Sequence, residues 1–300
     1  MRKILVTGGT NFVSRFTAEY FAALGDEVYV LNRGNHPQSQ GVIHLKGDRN
    51  ALGNLLKEYS FDAVLDITAY SGEDVRNLTE ALGSFGEYIL ISSSAVYPES
   101  TEMPFREDAP LGFNSVWGSY GAGKIQAEEE LVRLVPKSYI IRPPYIYGPM
   151  QNLYREAFVF DCAEADRPFV LPEKEDMKLQ FFHVEDLCRF MNLLLEKKPS
   201  PRVYNVGNAQ SVTVKEWAQL CYEAAGKVPA FTKAPMGHGI RSYFCFYDYE
   251  YTLDISRMSA LMPRTKPLSE GLKEEYEWYS CHKGEMIRKP YLEYIDKFMK

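Results

Sequence analysis

Lys3-Ile4-Leu5-Val6-Thr7-Gly8-Gly9-Thr10-Asn11-Phe12-Val13-Ser14 is the stretch that decides the fold. Ile4-Leu5-Val6 is the centre of a short apolar run, Lys3 to Thr7, with the length of a buried strand. Gly8-Gly9-Thr10-Asn11 reads as a turn. From Asn11 to Leu24 the chain places Phe12, Phe16, Tyr20 and Ala23 on one helical face, and Glu27 to Leu31 follows as a second strand. Strand, glycine turn, helix and strand within about thirty residues make a βαβ unit. A helix that starts from such a turn offers unpaired N–H groups to an anion such as a pyrophosphate.

The same rhythm continues outward. Gly41 to Lys46 reads as a strand, followed by Gly47-Asp48 and a helix over about Asn50–Tyr59. Phe61 to Asp66 is a fourth strand, Gly72 to Leu82 a helix, and Tyr88-Ile89-Leu90-Ile91 a fifth strand that ends on Ser92-Ser93-Ser94. Alternation of this kind predicts an α/β fold with a doubly wound parallel sheet, whose ligands gather at the C-terminal ends of the strands. The 300 residues suffice for that domain and a smaller one. A net charge of −6 argues against a general nucleic-acid surface. Five scattered cysteines suit reduced thiols in a cytoplasmic protein, and neither they nor the five histidines make a metal-ligand pattern. No apolar run reaches the length of a membrane span or of a signal peptide.

Chemistry enters with Tyr120-Gly121-Ala122-Gly123-Lys124. A Tyr and a Lys four apart on a helix share a face. A phenol titrates near about 10, and a neighbouring ammonium lowers that value, which makes the Tyr a usable acid/base group. A hydroxyl from Ser92-Ser93-Ser94 would hydrogen-bond the substrate oxygen. With a hydride carrier alongside, that set interconverts an alcohol and a carbonyl. The spacing recurs at Tyr279-Ser280-Cys281-His282-Lys283, a coincidence that only context separates from the first copy. The run Glu128-Glu129-Glu130 reads as one solvated helix face, and the aromatic cluster from Tyr243 to Tyr251 as core that also borders a substrate pocket.

Six segments, taken in order, resemble the extended short-chain dehydrogenase/reductase family, the NAD-dependent epimerases and dehydratases. Thr7 to Ser14 is similar to its T-G-x-x-G-x-x-G turn, with Asn11 and Ser14 in place of two glycines. Asn tolerates positive φ and Ser is small, so both departures are compatible with a cofactor. Ser93 stands three residues before Val96-Tyr97, where the family carries its Ser or Thr; Ser94 and Ala95 replace the acids of the 4,6-dehydratases. Tyr120 to Glu128 resembles Y-G-x-x-K-x-x-x-E, and Arg142 to Pro149 its R-P-x-x-x-x-G-P turn. Phe182 to Leu187 resembles F-x-H-V-x-D-L, where His183 supports a helix start, and Val203 to Gly207 matches V-Y-N-V-G.

The resemblance implies a Rossmann-type dinucleotide domain from 1–150 plus about 178–207. It also implies a smaller C-terminal substrate domain from 151–177 and 208–283, and a terminal helix within 284–300. Ser93, Tyr120 and Lys124 would be catalytic, with Lys124 also binding the nicotinamide ribose. The cofactor would lie on Thr7, Gly8, Gly9, Thr10, Asn11, Phe12 and Val13 at the pyrophosphate, and on Asn32, Arg33 and Asp48 at the adenosine. Ala69, Tyr70, Ser92, Pro143 and Tyr145 complete its site, while the family's active-site Asn has only Ser71 near its place. Asn32 replaces the acid that commonly selects NAD, and Arg33 suits a 2′-phosphate, so the cofactor is NADP or NAD with NADP favoured. Leu179-Gln180-Phe181 stands where sugar-nucleotide members carry R-D-F, which disfavours a diphosphate unless Arg155, Arg167 or Lys178 compensates. The expected reaction is hydride transfer in an oxidoreductase or epimerase at a hydroxyl or carbonyl carbon of a sugar-like substrate, a nucleotide-sugar included, with Tyr120 as acid/base. The expected partner is a small-molecule substrate, with neither nucleic acid nor membrane, and a homodimer is admitted. Thr7-Gly8-Gly9-Thr10 and Asn32-Arg33-Gly34 also resemble chloroplast stem-loop RNA-binding relatives, and a dinucleotide sensor without turnover is a third class.

Overall fold

In the computed structural model, which describes residues 1–299, the opening unit is β1 (Lys3–Thr7), α1 (Phe12–Ala23) and β2 (Glu27–Asn32). It is followed by β3 (Val42–Lys46), β4 (Ser60–Asp66), α2 (Gly72–Ala81), β5 (Ser84–Ile91), α3 (Gly118–Leu134) and β6 (Tyr139–Arg142). The second half comprises β7 (Tyr145–Tyr147), α4 (Glu156–Glu164), β8 (Phe169–Leu171), β9 (Lys178–Leu179), β10 (Phe181–His183), α5 (Val184–Lys197) and β11 (Val203–Asn205). Last come β12 (Val212–Thr213), α6 (Val214–Ala224), β13 (Phe231–Lys233), α7 (Ser256–Leu261), α8 (Leu268–Cys281) and α9 (Tyr291–Phe298).

Seven strands pair in the order β11-β6-β5-β4-β1-β2-β3, every pair parallel. The chain winds outward from β1 to β3, then restarts at β4 on the other side. That reversal between β1 and β4 is where a doubly wound sheet opens a crevice. Alternation along the strands builds two layers. Ile4, Val6, Val30 and Leu65 face α1 and α5, meeting Ala18, Phe21, Leu187 and Leu194. Leu5, Leu31, Val64 and Leu90 face α2 and α3, meeting Val75, Leu78, Ala127 and Leu131. Each fully buried Leu, Ile or Val contributes about 1.5–3 kcal/mol of transfer free energy.

A second core gathers Phe158, Phe160, Phe169, Trp217, Phe244 and Tyr279 between α4, α6 and α8. Tyr291 and Ile295 of α9 pack into the same cluster, whereas Met258 and Met262, on and just after α7, join the α1 side of the sheet. Among the described residues, no helix is long and apolar enough to cross a membrane.

Three elements differ from the sequence reading. Asn50–Tyr59 is no helix: a short helical turn at Arg49–Ala51 is followed by successive tight turns. Gly53 sits at φ +54, a left-handed value that interrupts a right-handed helix. Strand β5 begins four residues early, at Ser84, because its first half pairs with the N-terminal half of β4. In the tail, helix covers Tyr291–Phe298, with Pro290 before it removing an N–H that a longer helix would need; Lys300 lies outside the described residues.

Candidate active site

The turn after β1 shapes the floor of the cleft. Gly8 and Gly9 have φ of +95 and +87, values that side chains rarely adopt. A Cβ on Gly8 would lie 2.7 Å from Ser14 Oγ and 2.9 Å from the Thr68 methyl, so β1, α1 and β4 meet here at close range. Asn11 does not take the positive φ proposed for it; its φ is −131, and Phe12 carries +24 instead. No side chain caps α1 and its first turn holds no acid. Its first N–H groups therefore remain for an anion. Cavities of about 610 and 400 Å³ share Gly8, Thr10, Asn11 and Thr68, and so form one trough across this helix end. Phe12 and Val13 line the larger cavity, while Gly9 is buried. The uncapped helix end at the centre of a two-lobed trough fits a dinucleotide.

The smaller lobe is bordered by Asn32, Arg33 and Asp48. Asn32 spends its amide on Gly8 O at 2.6 Å and Gln38 Oε1 at 2.9 Å, and its Oδ1 accepts from Gly34 N at 2.9 Å. Asp48 accepts from Asn50 N at 2.9 Å, capping the short turn. Arg33 is exposed and makes no hydrogen bond or ion pair among the described residues. Thr7 faces inward: its hydroxyl donates to buried Asp66 at 2.8 Å and accepts from Ile67 and Thr68 N–H. Arg49, which sequence reasoning missed, borders the lobe and pairs with the same Asp66 at 2.6 Å.

At the larger lobe Ser93, Tyr120 and Lys124 come together. Ser93 ends the β5 extension and accepts Ala95 N–H at 3.2 Å. Tyr120 and Lys124 occupy successive turns of α3, which seats closely because Gly123 would place a Cβ only 2.1 Å from Tyr70 O. Lys124 is 2% exposed. Its ammonium donates to Ala69 O at 2.7 Å and Ile91 O at 2.8 Å, beneath the rings of Tyr70 and Tyr120. Burial pulls the amine down to about 8, with Asp66 and Glu128 working the other way. Tyr120, although 42% exposed to the cleft, is raised by desolvation, while the Ser93 hydroxyl acts to lower it. The expectation that Lys124 depresses the phenol is therefore corrected: the ammonium is turned to two carbonyls, and the group that lowers the phenol is Ser93.

One further reading changes. The Glu128-Glu129-Glu130 run is not one solvated face: Glu128 is buried on Arg142 and Ser92, while Glu130 pairs with Arg76 and Arg133 at the surface. Ser92 lines the larger lobe while its hydroxyl donates to Glu128. Pro143 and Tyr145 do line the larger lobe, and Pro143 O accepts from Ser94 N at 3.0 Å. Ser71 caps α2, and His183 caps α5 through Nδ1, its imidazole pushed to about 3 by burial. Its neighbours Glu185 and Glu274 are bridged by the Lys266 ammonium. Tyr279 is buried against Asp161 in the second core and lines neither lobe.

The outer wall is aromatic. Trp117, Tyr145, Phe246, Tyr247 and Tyr251 line it, joined by edge and tilted contacts such as Trp117–Tyr247 at 5.5 Å and Tyr145–Phe246 at 4.8 Å. Asn114 holds this wall to the sheet by donating to Tyr97 O and Tyr249 Oη, both at 3.0 Å. Arg155 lines the wall, yet its Nε is on Glu156 at 2.8 Å and its Nη2 on Ile146 O at 2.6 Å. Gln180 is locked to Asn208 O and Leu253 N. Arg167 pairs with Asp296 at the surface, and Lys178 is exposed outside the lobe. Trp117, Asn114 and Thr68 were not singled out from sequence; Trp117 stands three residues before Tyr120, the one local signal that marked it.

Comparison with known proteins places these features in context. A family model described as NAD dependent epimerase/dehydratase family matches residues 4–207. The chain is 29% identical to the chloroplast stem-loop binding protein of 41 kDa from Arabidopsis thaliana, covering 92% of this chain and 78% of that one. It is 25% identical to a dTDP-4-dehydro-6-deoxy-D-allose reductase from Streptomyces, over 94% and 97% of the two chains. Among solved structures, a Bordetella bronchiseptica enzyme in complex with NAD+ superposes with a TM-score of 0.75 at 17% identity, covering 94% of this chain and 99% of that one.

Proposed function

The chain belongs to the NAD-dependent epimerase/dehydratase family, and from that premise we propose that it transfers hydride at a hydroxyl or carbonyl carbon of a sugar-like substrate. One observation carries the reading: Ser93, Tyr120 and Lys124 converge where the dinucleotide trough opens into the aromatic-walled lobe. The nicotinamide, when bound, supplies or accepts the hydride. Tyr120 moves the proton at the substrate oxygen. Because its phenol is raised, it holds that proton at neutral pH, which suits donation to the oxygen formed on carbonyl reduction. Ser93 orients the same oxygen by a hydrogen bond. Lys124, with two of its three donors on Ala69 and Ile91 carbonyls, keeps one for the cofactor ribose and brings positive charge under the reacting oxygen.

The test is Tyr120→Phe in the full-length protein. Loss of a general acid/base typically costs about 10²–10⁴-fold in rate, while cofactor affinity should stay near the wild-type value. Full turnover by the variant would end the assignment. Tyr279→Phe, at the second Tyr/Lys spacing, should leave the rate unchanged.

Two finer points belong to the same reading. The free Arg33 at the adenosine lobe favours NADP over NAD. The neutralised Arg155 and locked Gln180 favour a substrate without a diphosphate, held by aromatic faces and neutral hydrogen bonds. A second reading, RNA binding, is favoured by the similarity to the Arabidopsis stem-loop binding protein. A gel shift with structured RNA at moderate salt separates the two, since phosphate-driven binding to a chain of net charge −6 should be weak.

A further inference from the structure

Directly behind the cleft lies a buried ion pair that lines neither lobe. Glu128 is 3% exposed and Arg142 4%. Arg142 grips the carboxylate with two bonds, Nε to Oε1 at 3.0 Å and Nη2 to Oε2 at 2.6 Å, and Ser92 donates to the same Oε1 at 2.5 Å. Arg142 Nη1 continues to the Tyr97 hydroxyl at 2.8 Å and Glu107 O at 3.1 Å, and Tyr97 donates to Asn205 at 2.8 Å. The network therefore ties α3 to the ends of β5, β6 and β11. Its members adjoin the cleft residues in the chain: Ser92 precedes Ser93, Arg142 precedes Pro143, and Glu128 stands one turn beyond Lys124.

Apolar residues of equal volume stabilise a core as well as a buried ion pair does, so the pair is poorly explained by stability alone. It is better suited to fixing a register and placing a charge. We propose that Glu128 is a positioning residue for the Ser93–Tyr120–Lys124 group. Clamped by Arg142 and Ser92, its carboxylate sets α3, and with it Tyr120 and Lys124, against the ends of β5 and β6. The proposal rests on that group being the reactive centre, but its test does not require turnover. The charged and titratable groups around Lys124 are Asp66 at the end of β4, Arg49 after β3, Asp74 in α2, Tyr70 before α2, and Tyr120 and Glu128 on α3. Asp66 and Glu128 both favour the ammonium, Asp66 the more strongly, and each is paired with an arginine, Arg49 and Arg142; Glu128 is the one carried on the helix of Lys124 itself.

The experiment titrates Lys124 by NMR in full-length protein labelled with ¹³C-lysine, the resonance being identified by its absence from Lys124→Met. In Glu128→Gln the midpoint should fall by about one pH unit, as expected when a neighbouring opposite charge is withdrawn. Because that variant strands the Arg142 charge, Glu128→Gln/Arg142→Met is measured beside it; the pair is then replaced together, and the same direction of shift is expected. A wild-type midpoint in whichever variant folds overturns the proposal. Ser92→Ala removes only the tie to β5. It should lower kcat by about tenfold or more with the cofactor Kd held within about twofold, and an unchanged kcat would equally refute the positioning role. If turnover is never found, the lysine titration still decides.

Discussion

Replacing Lys124 by Met should remove from the fold a pH-dependent penalty that is largest at neutral pH and fades as the pH rises toward 10.5. The Lys124 amine falls from an ordinary 10.5 to about 8, mainly through burial. Below pH 8 folded and unfolded chains both carry the proton, so the full penalty of burying the ammonium is present there. Between 8 and 10.5 the unfolded chain still binds a proton that the folded chain has released, so stability rises with pH across that window. At about 1.36 kcal/mol per pH unit, the gap amounts to roughly 3 kcal/mol at neutral pH, of which about 2 kcal/mol is recovered near pH 9.5. Met matches the length and carries no charge, but it leaves the Ala69 and Ile91 carbonyls without their donor, a cost of about 1–3 kcal/mol for each that does not vary with pH. The stability of Lys124→Met relative to the wild type should therefore be about 2 kcal/mol more favourable at pH 7 than near pH 9.5. Urea unfolding of both proteins at the two pH values measures this, and taking the difference cancels every other group that titrates alike in both. A gap that does not change with pH would refute the reasoning.

Two further outcomes test the ligand assignments. Arg33→Ala should weaken NADP binding by about 1.5–3 kcal/mol, the worth of a hydrogen bond to a charged group, and leave NAD nearly unaffected; calorimetry that finds NAD tighter than NADP in the wild type would end the idea. UDP-, GDP- and dTDP-sugars should give no saturable thermal shift with cofactor-loaded protein, whereas a true ligand at a hundred times its Kd adds about 2.7 kcal/mol. A saturable shift abolished by Arg155→Met would show that Arg155 does serve a diphosphate.

The sheet was legible in the sequence because its signals are local. A five-residue apolar run, two glycines and a helical apolar stripe define β1, α1 and β2 within one short segment, and the succession of such units leaves few arrangements. Tyr120 and Lys124 share a helical face by spacing alone, but Ser93, and the choice of this pair over Tyr279 and Lys283, rest on the family resemblance. Gly53 shows the limit of a local reading, since a single left-handed residue turned an apparent helix over Asn50–Tyr59 into a chain of turns.

Only the tertiary structure decided the electrostatics. Glu128, Glu129 and Glu130 are indistinguishable as a sequence, yet helix phase points Glu128 alone at Arg142, which arrives from β6. Lys124 finds its partners on carbonyls of Ala69 and Ile91, 55 and 33 residues away, and Tyr120 is raised rather than lowered because desolvation by the segments folded around it outweighs the Ser93 hydrogen bond. The wall of Trp117, Tyr145, Tyr247 and Tyr251 is likewise assembled from separate segments. Secondary structure follows from near neighbours along the chain, but desolvation and charge pairing depend on which distant segments arrive beside a group, and that information exists only once the chain has folded.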